Sequence, residues 1–303
     1  MIYSNKVFIK AMIFFLFYGF LESSAWGRII GFETTRLKST SGAGVGALLL
    51  DEATVLNPAP LAFFNLSSIY FQRNKMEITN YDPALPSSPP ESRHTGFILS
   101  DTSDSMKGSA SYIKMQQEFN KRKRIAGSLA FASGENFAIG TTFRIIEDEI
   151  STDGISVQKK KYKQMVFGLT HLRSRNFSLG LVVIDPFKKN PLDTRILIGM
   201  QYDFADFIFF LLDLGADYNH PLSDTVLYRT ALKIRILDDL LFRFGVYEDK
   251  GLKERGNSMG ISWVQPRLSF DFALKNRKLL SDSTLQQSRK DIKEKSFSFS
   301  YRF

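Results

Sequence analysis

The last nine residues of the chain, Lys295 to Phe303, read Lys-Ser-Phe-Ser-Phe-Ser-Tyr-Arg-Phe. Aromatic residues alternate with polar ones through the whole stretch. Successive side chains of a β-strand point to opposite faces, so this segment has one aromatic face and one polar face. A transmembrane β-barrel uses both faces, because the aromatic face meets lipid and the polar face meets the lumen. The alternative is an amphipathic edge strand of a soluble β domain.

The end of this alternation carries a more specific signal in Phe299, Tyr301 and Phe303. The ending resembles the C-terminal strand by which outer-membrane barrels are recognised during assembly. The resemblance implies that the three aromatic residues form an assembly signal. It also implies that the barrel-assembly machinery and outer-membrane lipid are partners of the chain.

The composition fits a membrane barrel. The chain has 303 residues, 44% of them hydrophobic, and a mean hydropathy of −0.13, which is far too polar for a helical membrane protein. A transmembrane barrel has this composition because half of its strand residues face water. The chain has no cysteine, which excludes disulfides and thiolate metal sites. The net charge of +9 fits solvated loops and lumen or contact with anionic lipid head groups or solutes.

The N-terminus has the pattern of a secretory signal peptide. Lys6 and Lys10 precede an apolar run from Ala11 to Leu21, and small residues lead up to Ala25. This order of a basic region, an apolar region and a cleavage site predicts a signal peptide over residues 1–25. A retained N-terminal anchor is the alternative. A secreted chain with no later apolar helix is expected in the periplasm, outside the cell or in the outer membrane.

The segment after the signal peptide is rich in small residues. The stretch from Ser39 to Phe64 contains Gly42, Gly44 and Gly46, which allow close backbone packing. Leu48 to Val55 is expected to form a short helix. The prolines that follow end that helix, because they cannot continue its hydrogen-bond ladder.

A short motif, Asn57-Pro58-Ala59, closes this stretch just before the first predicted strand. A glycine run, an acidic turn, this motif and then a strand resemble the N-terminal region of the long-chain fatty-acid transporter family of outer-membrane barrels. That group also includes barrels tied to protein secretion. The resemblance implies a hatch over residues 26–64 that folds inside a barrel formed by residues 65–303. A plain loop and turn is the alternative.

The rest of the chain consists of alternating runs separated by turn residues, which predicts about fourteen strands. We therefore predict an all-β fold, a transmembrane antiparallel barrel with a small N-terminal hatch in its lumen. The strand from Thr225 to Leu237 has cations on one face, and cations inside a soluble β core would be strongly unfavourable. The predicted lumen-facing basic residues are Arg229, Lys233 and Arg235, and the predicted lipid-facing residues are Leu232, Ile234 and Ile236. The run Ile208 to Leu214 is apolar on both faces, which fits either a strand covered by the hatch or an irregular lipid-facing strand.

The predicted connections alternate in length. The outward connections include Lys75 to His94, Glu147 to Lys161 and Asn276 to Lys293, whereas inward ones such as Asp238 to Asp239 are short. Long outer loops and short periplasmic turns are typical of outer-membrane barrels.

No catalytic constellation is evident. His94, His171 and His220 are far apart in sequence and have no metal-ligand spacing. We therefore predict neither an enzyme nor a cofactor or metal site, and we expect no nucleic-acid partner for a secreted chain. Passive transport of hydrophobic or amphipathic small molecules across the outer membrane is the first hypothesis. The second is a non-conducting structural or secretion-associated barrel that docks partner proteins.

Overall fold

The computed structural model describes residues 29, 31–79, 92–117, 120–151, 157–190, 193–281 and 289–303. These residues form a closed antiparallel barrel of 14 strands in which each strand pairs with its neighbours in sequence. The all-β fold and the strand number predicted from the alternating runs are confirmed. The predicted signal peptide, residues 1–25, lies outside the described residues.

Each strand is an alternating run whose two faces meet different surroundings, as the period of two requires. The bounds are β1 Ser67–Ile78, β2 Ser92–Asp101, β3 Lys107–Gln117, β4 Asn120–Ala132, β5 Phe137–Ser151, β6 Val157–Ser174, β7 Phe177–Ile184, β8 Arg195–Phe204, β9 Ile208–Ala216, β10 Leu227–Leu237, β11 Leu240–Asp249, β12 Glu254–Val264, β13 Leu268–Leu279 and β14 Lys290–Arg302. The last strand pairs with the first, and Ser67 and Phe303 exchange both backbone N–H···O bonds at 3.0 Å. This pairing closes the barrel and leaves no free sheet edge.

Several strands are longer than predicted, and the expected connection from Glu147 to Lys161 is wrong. β5 continues to Ser151 and β6 already begins at Val157. Charged residues on these extensions pair across the strands, as Glu147 and Lys161 do at 2.7 Å. Cross-strand pairs of opposite charge stabilise a sheet, so a charged stretch that resembles a loop in sequence is strand here.

The two ends of the barrel differ. The strand ends that flank positions 79–91, 185–194, 217–226 and 280–289 lie at one end, which we call the long-loop rim. The start of β1 and the end of β14 lie at the other end, the terminal rim, where connections such as 238–239 and 265–267 are short.

The outer surface of the barrel carries many exposed apolar side chains. Side chains such as Phe71, Phe97, Tyr112, Phe143 and Phe167 are all more than two-fifths exposed. Their neighbours in sequence point inward and are buried. A contiguous apolar surface of this size is unfavourable in water and favourable in a lipid bilayer.

Residues 31–66, here called the inner segment, lie inside the barrel. They contain α1 Thr35–Ser39 and a single 3₁₀ helix, Ala59–Phe63, and the prediction of a helix from Leu48 to Val55 is wrong. That stretch forms turns, in which the N–H groups of Val55 and Leu56 both bond to the carbonyl of Glu52. A short helix, α2 Leu222–Thr225, lies in the loop before β10. No helix of the described residues is long and apolar enough to cross a membrane.

Candidate functional site: the lumen and its inner segment

Glycines on the inner wall let the backbone of the inner segment approach the strands. A β-carbon on Gly140 of β5 would lie 2.7 Å from the carbonyl carbon of Pro58, and one on Gly199 of β8 would lie 2.9 Å from the nitrogen of Gly46. Glycine inside a strand often marks such a close backbone approach. Further wall glycines against the inner segment are Gly96, Gly168, Gly180, Gly245 and Gly260. The segment is therefore in contact with the wall around most of the lumen.

Arg36 of the inner segment is bonded to β13 and, through Asp51, to β1. Arg36 donates from Nε to Asp271 Oδ2 of β13 at 3.1 Å and from Nη1 to Asp51 Oδ2 at 2.8 Å. The other oxygen of Asp51 accepts from Ser68 Oγ of β1 at 2.7 Å. All of these side chains are buried. Charge-assisted hydrogen bonds of this kind fix the segment against β1 and β13.

A second ionic cluster lies beside the first. Lys275 Nζ of β13 approaches Glu33 Oε2 at 2.7 Å, and Arg277 approaches it at 3.4 Å. Lys38 and Arg277 both pair with Glu294 of β14. Burial raises the pKa of Glu33, but the cations of Lys275 and Arg277 outweigh this and hold the pKa below its usual value. Glu33 is therefore a carboxylate at neutral pH, and its ion pairs help to hold the inner segment against β13.

The glycine run, Gly42 to Gly46, is held by a carboxylate of β9. Asp213 of β9 accepts from the backbone nitrogen of Gly44 at 2.9 Å and from that of Val45 at 3.2 Å. Asp213 is fully buried. Two backbone donors on one carboxylate orient this part of the segment as well as anchoring it.

The motif Asn57-Pro58-Ala59 lies against β5 and β6. Asn57 Nδ2 donates to the carbonyl of Val45 at 2.9 Å and to Thr170 Oγ1 at 3.1 Å, and its Oδ1 accepts from the Ala59 nitrogen at 3.1 Å. The side-chain bond to Ala59 forms an Asx turn, which the asparagine side chain favours. The motif thus joins two parts of the inner segment to the wall.

The three cations of β10 contact groups in the lumen. Arg229 Nη1 donates to the carbonyl of Gly42 at 3.1 Å, and Lys233 Nζ donates to Gln201 Oε1 at 2.9 Å. Lys233 and Arg235 also lie over the ring of Phe209, at 4.8 and 5.4 Å from its centroid. Arg229 touches the inner segment, whereas the other two lie nearer the terminal rim.

The two-sided apolar run of β9 is covered by the inner segment on its inward face. Leu211 is buried in a cluster with Ala43, Ala47 and Ala231, and Phe209 packs against this cluster. Phe210, on the opposite face, is exposed. Of the two interpretations of this run, the structure fits the strand covered from inside.

A cavity of about 170 Å³ lies between the inner segment and the strand ends of the long-loop rim. Much of its wall is apolar. The apolar lining includes Ile29, Phe32, Leu37, Leu56, Leu197 and Leu227. The rest of the lining is charged and includes Glu33, Arg122, Arg144, Asp193, Arg195 and Arg277. A concave site that combines apolar side chains with convergent polar groups is typical of small-molecule binding.

The polar part of the cavity wall contains an unusual arginine. Arg124 of β4 is 8% exposed, and its Nε and Nη2 have no hydrogen-bond partner among the described residues. Its guanidinium carbon lies 5.9 Å from the centroid of the Phe32 ring. By contrast, Arg122 pairs with Asp148 at 2.7 Å, and Arg144 donates to the carbonyl of Val55 at 2.9 Å. Arg124 is therefore a buried donor directed at the cavity.

The sequence prediction did not include Arg124 or the wall glycines. Arg122 and Arg124 occupy inward positions of β4, so the alternation places both in the lumen, but only the folded chain shows that Arg124 lacks partners for Nε and Nη2. The glycines also occupy inward positions, but only the folded chain shows which of them face the inner segment.

The aromatic residues of the C-terminus line the outer face at the terminal rim. Phe299 lies 5.3 Å from Phe270 of β13, and Tyr301 lies 6.0 Å from Phe303, between ring centroids. Phe303 is 61% exposed. No cluster of His, Asp or Glu side chains suited to a metal ion occurs among the residues that the structure describes.

Comparison with known proteins identifies the fold. No protein-family model matches the chain, and no curated protein matches it. Solved structures do match over most of both chains. The CymD monoaromatic hydrocarbon channel superposes with a TM-score of 0.65 at 11% identity, covering 88% of this chain and 96% of that one.

Two further structures of similar description superpose equally well. The Ralstonia pickettii toluene transporter TbuX has a TM-score of 0.63 at 10% identity, covering 90% of this chain and 98% of its own. The Pseudomonas putida toluene transporter TodX has a TM-score of 0.62 at 9% identity, with 92% and 99% covered. At these identities the similarity establishes a shared barrel fold.

Proposed function

We propose that this chain is an outer-membrane barrel that passively transports hydrophobic or amphipathic small molecules. The observation that carries the proposal is the cavity at the long-loop rim, whose wall joins an apolar part to a charged part that includes the buried guanidinium of Arg124, with Nε and Nη2 unpaired among the described residues. An apolar solute is accommodated by the wall, and an amphipathic solute also places a polar group on Arg124. The solved structures with this fold include channels and transporters of small aromatic hydrocarbons.

The inner segment is the proposed gate. Its contacts with the barrel wall are unevenly distributed. The ionic clusters around Arg36 and Glu33 bind it to β13 and β14. Near β8 and β9 the contacts are small side chains, glycine backbone and the single carboxylate of Asp213. We expect residues 41–50 to move while the anchored side stays in place, which would open a path past β8 and β9.

The location of the chain belongs to the same proposal. The apolar outer surface fits a bilayer, and the exposed aromatic C-terminus fits recognition by the barrel-assembly machinery. We also propose that residues 1–25 are removed as a signal peptide. N-terminal sequencing of the protein from outer-membrane fractions tests this step directly.

Solute flux into proteoliposomes tests the proposed function. The assay compares an apolar aromatic solute, an amphipathic carboxylate and a polar sugar of similar size. We expect the first two to enter faster than the sugar. Arg124→Met should slow the carboxylate and leave the apolar solute unchanged, whereas Arg255→Met, at an exposed arginine outside the cavity, should change neither.

Equal and negligible flux of all three solutes would contradict transport. The secretion-associated docking barrel would then be the better hypothesis.

A further inference from the structure

A patch of cations faces outward on five neighbouring strands near the long-loop rim. All of its members are exposed. The patch consists of Lys295 of β14, Arg73 and Lys75 of β1, Arg93 of β2, Lys114 of β3, and Lys121 and Lys123 of β4. We call it the cationic patch.

Several of these cations face each other directly across the strands. Lys75 is the register partner of both Lys295 and Arg93, and Lys114 is the partner of Lys123. Directly opposite residues of an antiparallel pair have β-carbons only about 5 Å apart, and like charges there are destabilising. An arrangement of three like-charged pairs is therefore stabilised by anything that brings negative charge to this surface.

Among the residues that the structure describes on these strands, the outward carboxylate nearest to the patch is Glu77, at its edge. Glu77 approaches Lys75 at 3.4 Å and Lys295 at 3.9 Å. These are exposed pairs, which contribute little in water. The described side chains of the patch and its edge thus comprise seven cations and one carboxylate, which gives this surface a net positive charge.

The carboxylates of the next strand are shared in the same way. Glu147 of β5 is the register partner of Lys123, but it also pairs with Lys161 of β6 at 2.7 Å. Glu149 pairs with Lys159 at 3.4 Å. The β5 carboxylates thus have a second set of lysines to balance, and the positive surface extends to β6.

The height of the patch on the barrel matches a membrane interface. Phe71, Phe97 and Tyr112 form one outward aromatic row across β1 to β3. Arg73 and Lys114 lie two residues farther toward the long-loop rim, which is about 7 Å along a strand. With the aromatic row in contact with acyl chains, these cations lie at the level of the lipid head groups.

On β8 to β10, across the barrel from the patch, the described outward side chains stay apolar toward the long-loop rim and do not become basic. Ile198, Leu214 and Tyr228 form an outward row on β8 to β10, near the same rim. All three are exposed and none is charged. The patch is therefore a feature of one side of the barrel, as a localised binding site requires.

We propose that the cationic patch binds the phosphate groups of a phosphorylated glycolipid in the outer leaflet. The acyl chains of the lipid lie on the aromatic row, and its phosphates lie between the facing cations. Basic clusters at a membrane surface bind anionic head groups in this way. The inference uses the outer-membrane location in the proposed function, but it does not depend on solute transport.

Binding of a defined lipid to the full-length protein in detergent tests this proposal. The probe is a diphosphorylated glucosamine-based glycolipid, measured by native mass spectrometry against its dephosphorylated form and against inorganic phosphate. The paired variant is Lys114→Gln with Lys123→Gln. The control is Lys250→Gln with Lys278→Gln, which removes the same charge from exposed positions of the same rim outside the patch.

We expect the diphosphorylated lipid to bind more tightly than its dephosphorylated form, and inorganic phosphate to compete weakly. The patch variant should lose about 30-fold in affinity, since each lysine near a lipid surface contributes about 5-fold. The control should retain its affinity. Equal losses in both variants, or equal binding of the dephosphorylated lipid, would overturn the proposal.

Heat-dependent gel migration of each variant shows whether the barrel is folded, and a variant that fails this check is replaced by Arg73→Gln with Lys123→Gln. Solute flux, measured in parallel, should be unchanged in the patch variant. Loss of lipid binding with normal flux therefore separates this site from the transport function.

Discussion

Gly46 of the inner segment and Gly199 of β8 meet backbone to backbone. A β-carbon on Gly46 would lie 2.8 Å from the carbonyl oxygen of Gly199, and one on Gly199 would lie 2.9 Å from the nitrogen of Gly46. Neither position tolerates a side chain without displacement of backbone. The contact of the segment with this part of the wall therefore depends on both residues being glycine.

Replacing the wall glycine should release the segment. Gly199→Val introduces atoms where the backbone of the segment lies, and overpacking of this kind costs about 1–3 kcal/mol. We expect the amide groups of Gly44 and Val45, which donate to Asp213 in the natural protein, to exchange faster with solvent in the folded barrel. Gly127→Val is the matched control, because a β-carbon on Gly127 of β4 has nothing within 4 Å. Equal protection of the two variants would show that the segment does not depend on this contact.

The docking of the inner segment should depend on pH through Glu52. Glu52 is 1% exposed and bonds to Thr34 Oγ1 at 2.8 Å, and burial raises its pKa from 4.5 to about 7. A raised pKa means that the folded state binds the proton more tightly than the unfolded state. The contribution of Glu52 to stability is thus greatest below pH 4.5 and falls as the pH rises toward 7.

Hydrogen exchange of residues 44–56 between pH 5 and 8 measures this effect. After correction for the intrinsic pH dependence of exchange, protection should decrease with pH in the natural protein. Glu52→Gln should show a flatter profile, because its amide does not titrate. A profile that is the same in both proteins would assign the pH dependence to another group.

The C-terminal aromatic residue should be needed for assembly. Phe303→Asp places a charge at the end of the predicted recognition strand, and we expect less heat-modifiable barrel in outer-membrane fractions. Phe204→Asp is the control, since Phe204 has a similar exposure of 59% at the same rim. If both variants assemble equally, Phe303 acts only as one more apolar surface residue.

The register of β10 can be tested by single cysteines, because the natural chain has none. We expect water-soluble thiol reagents to label the lumen positions and lipid-soluble ones to label the outer positions. The lumen set is Arg229, Lys233 and Arg235, and the outer set is Leu232, Ile234 and Ile236. The reverse labelling pattern would invert the assignment. A lysine in place of Leu232, at the middle of β10, should cost about 2–4 kcal/mol near the bilayer midplane.

The barrel could be predicted because its signal is local. Each strand alternates between two surroundings, so runs such as Phe297 to Phe303 show their faces in sequence. The strand ends were less predictable, since the paired charges of Glu147 and Lys161 resemble a solvated loop until the partner strand is known. Their stabilisation comes from contacts across strands, which a single segment does not display.

The interior was predicted only in part. The segment within the barrel was expected from the family resemblance that the glycine run and the Asn57 motif carry, and both of these are local features of the sequence. The partners of that segment were not predictable, since Arg36 and Asp271 are joined only by the closed fold. Arg124 was missed for the same reason, because an unpaired donor is defined by what surrounds it.

Permeability after removal of the glycine run tests the central claim most directly. The variant lacks residues Ser41 to Leu50 and retains the strands and the anchors at Glu33, Arg36 and Lys38. Conductance and small-solute flux are measured in planar bilayers and proteoliposomes, with heat-dependent migration as the check of folding. We predict a folded barrel with permeability well above that of the natural protein. A folded barrel with unchanged permeability would contradict gating by the inner segment.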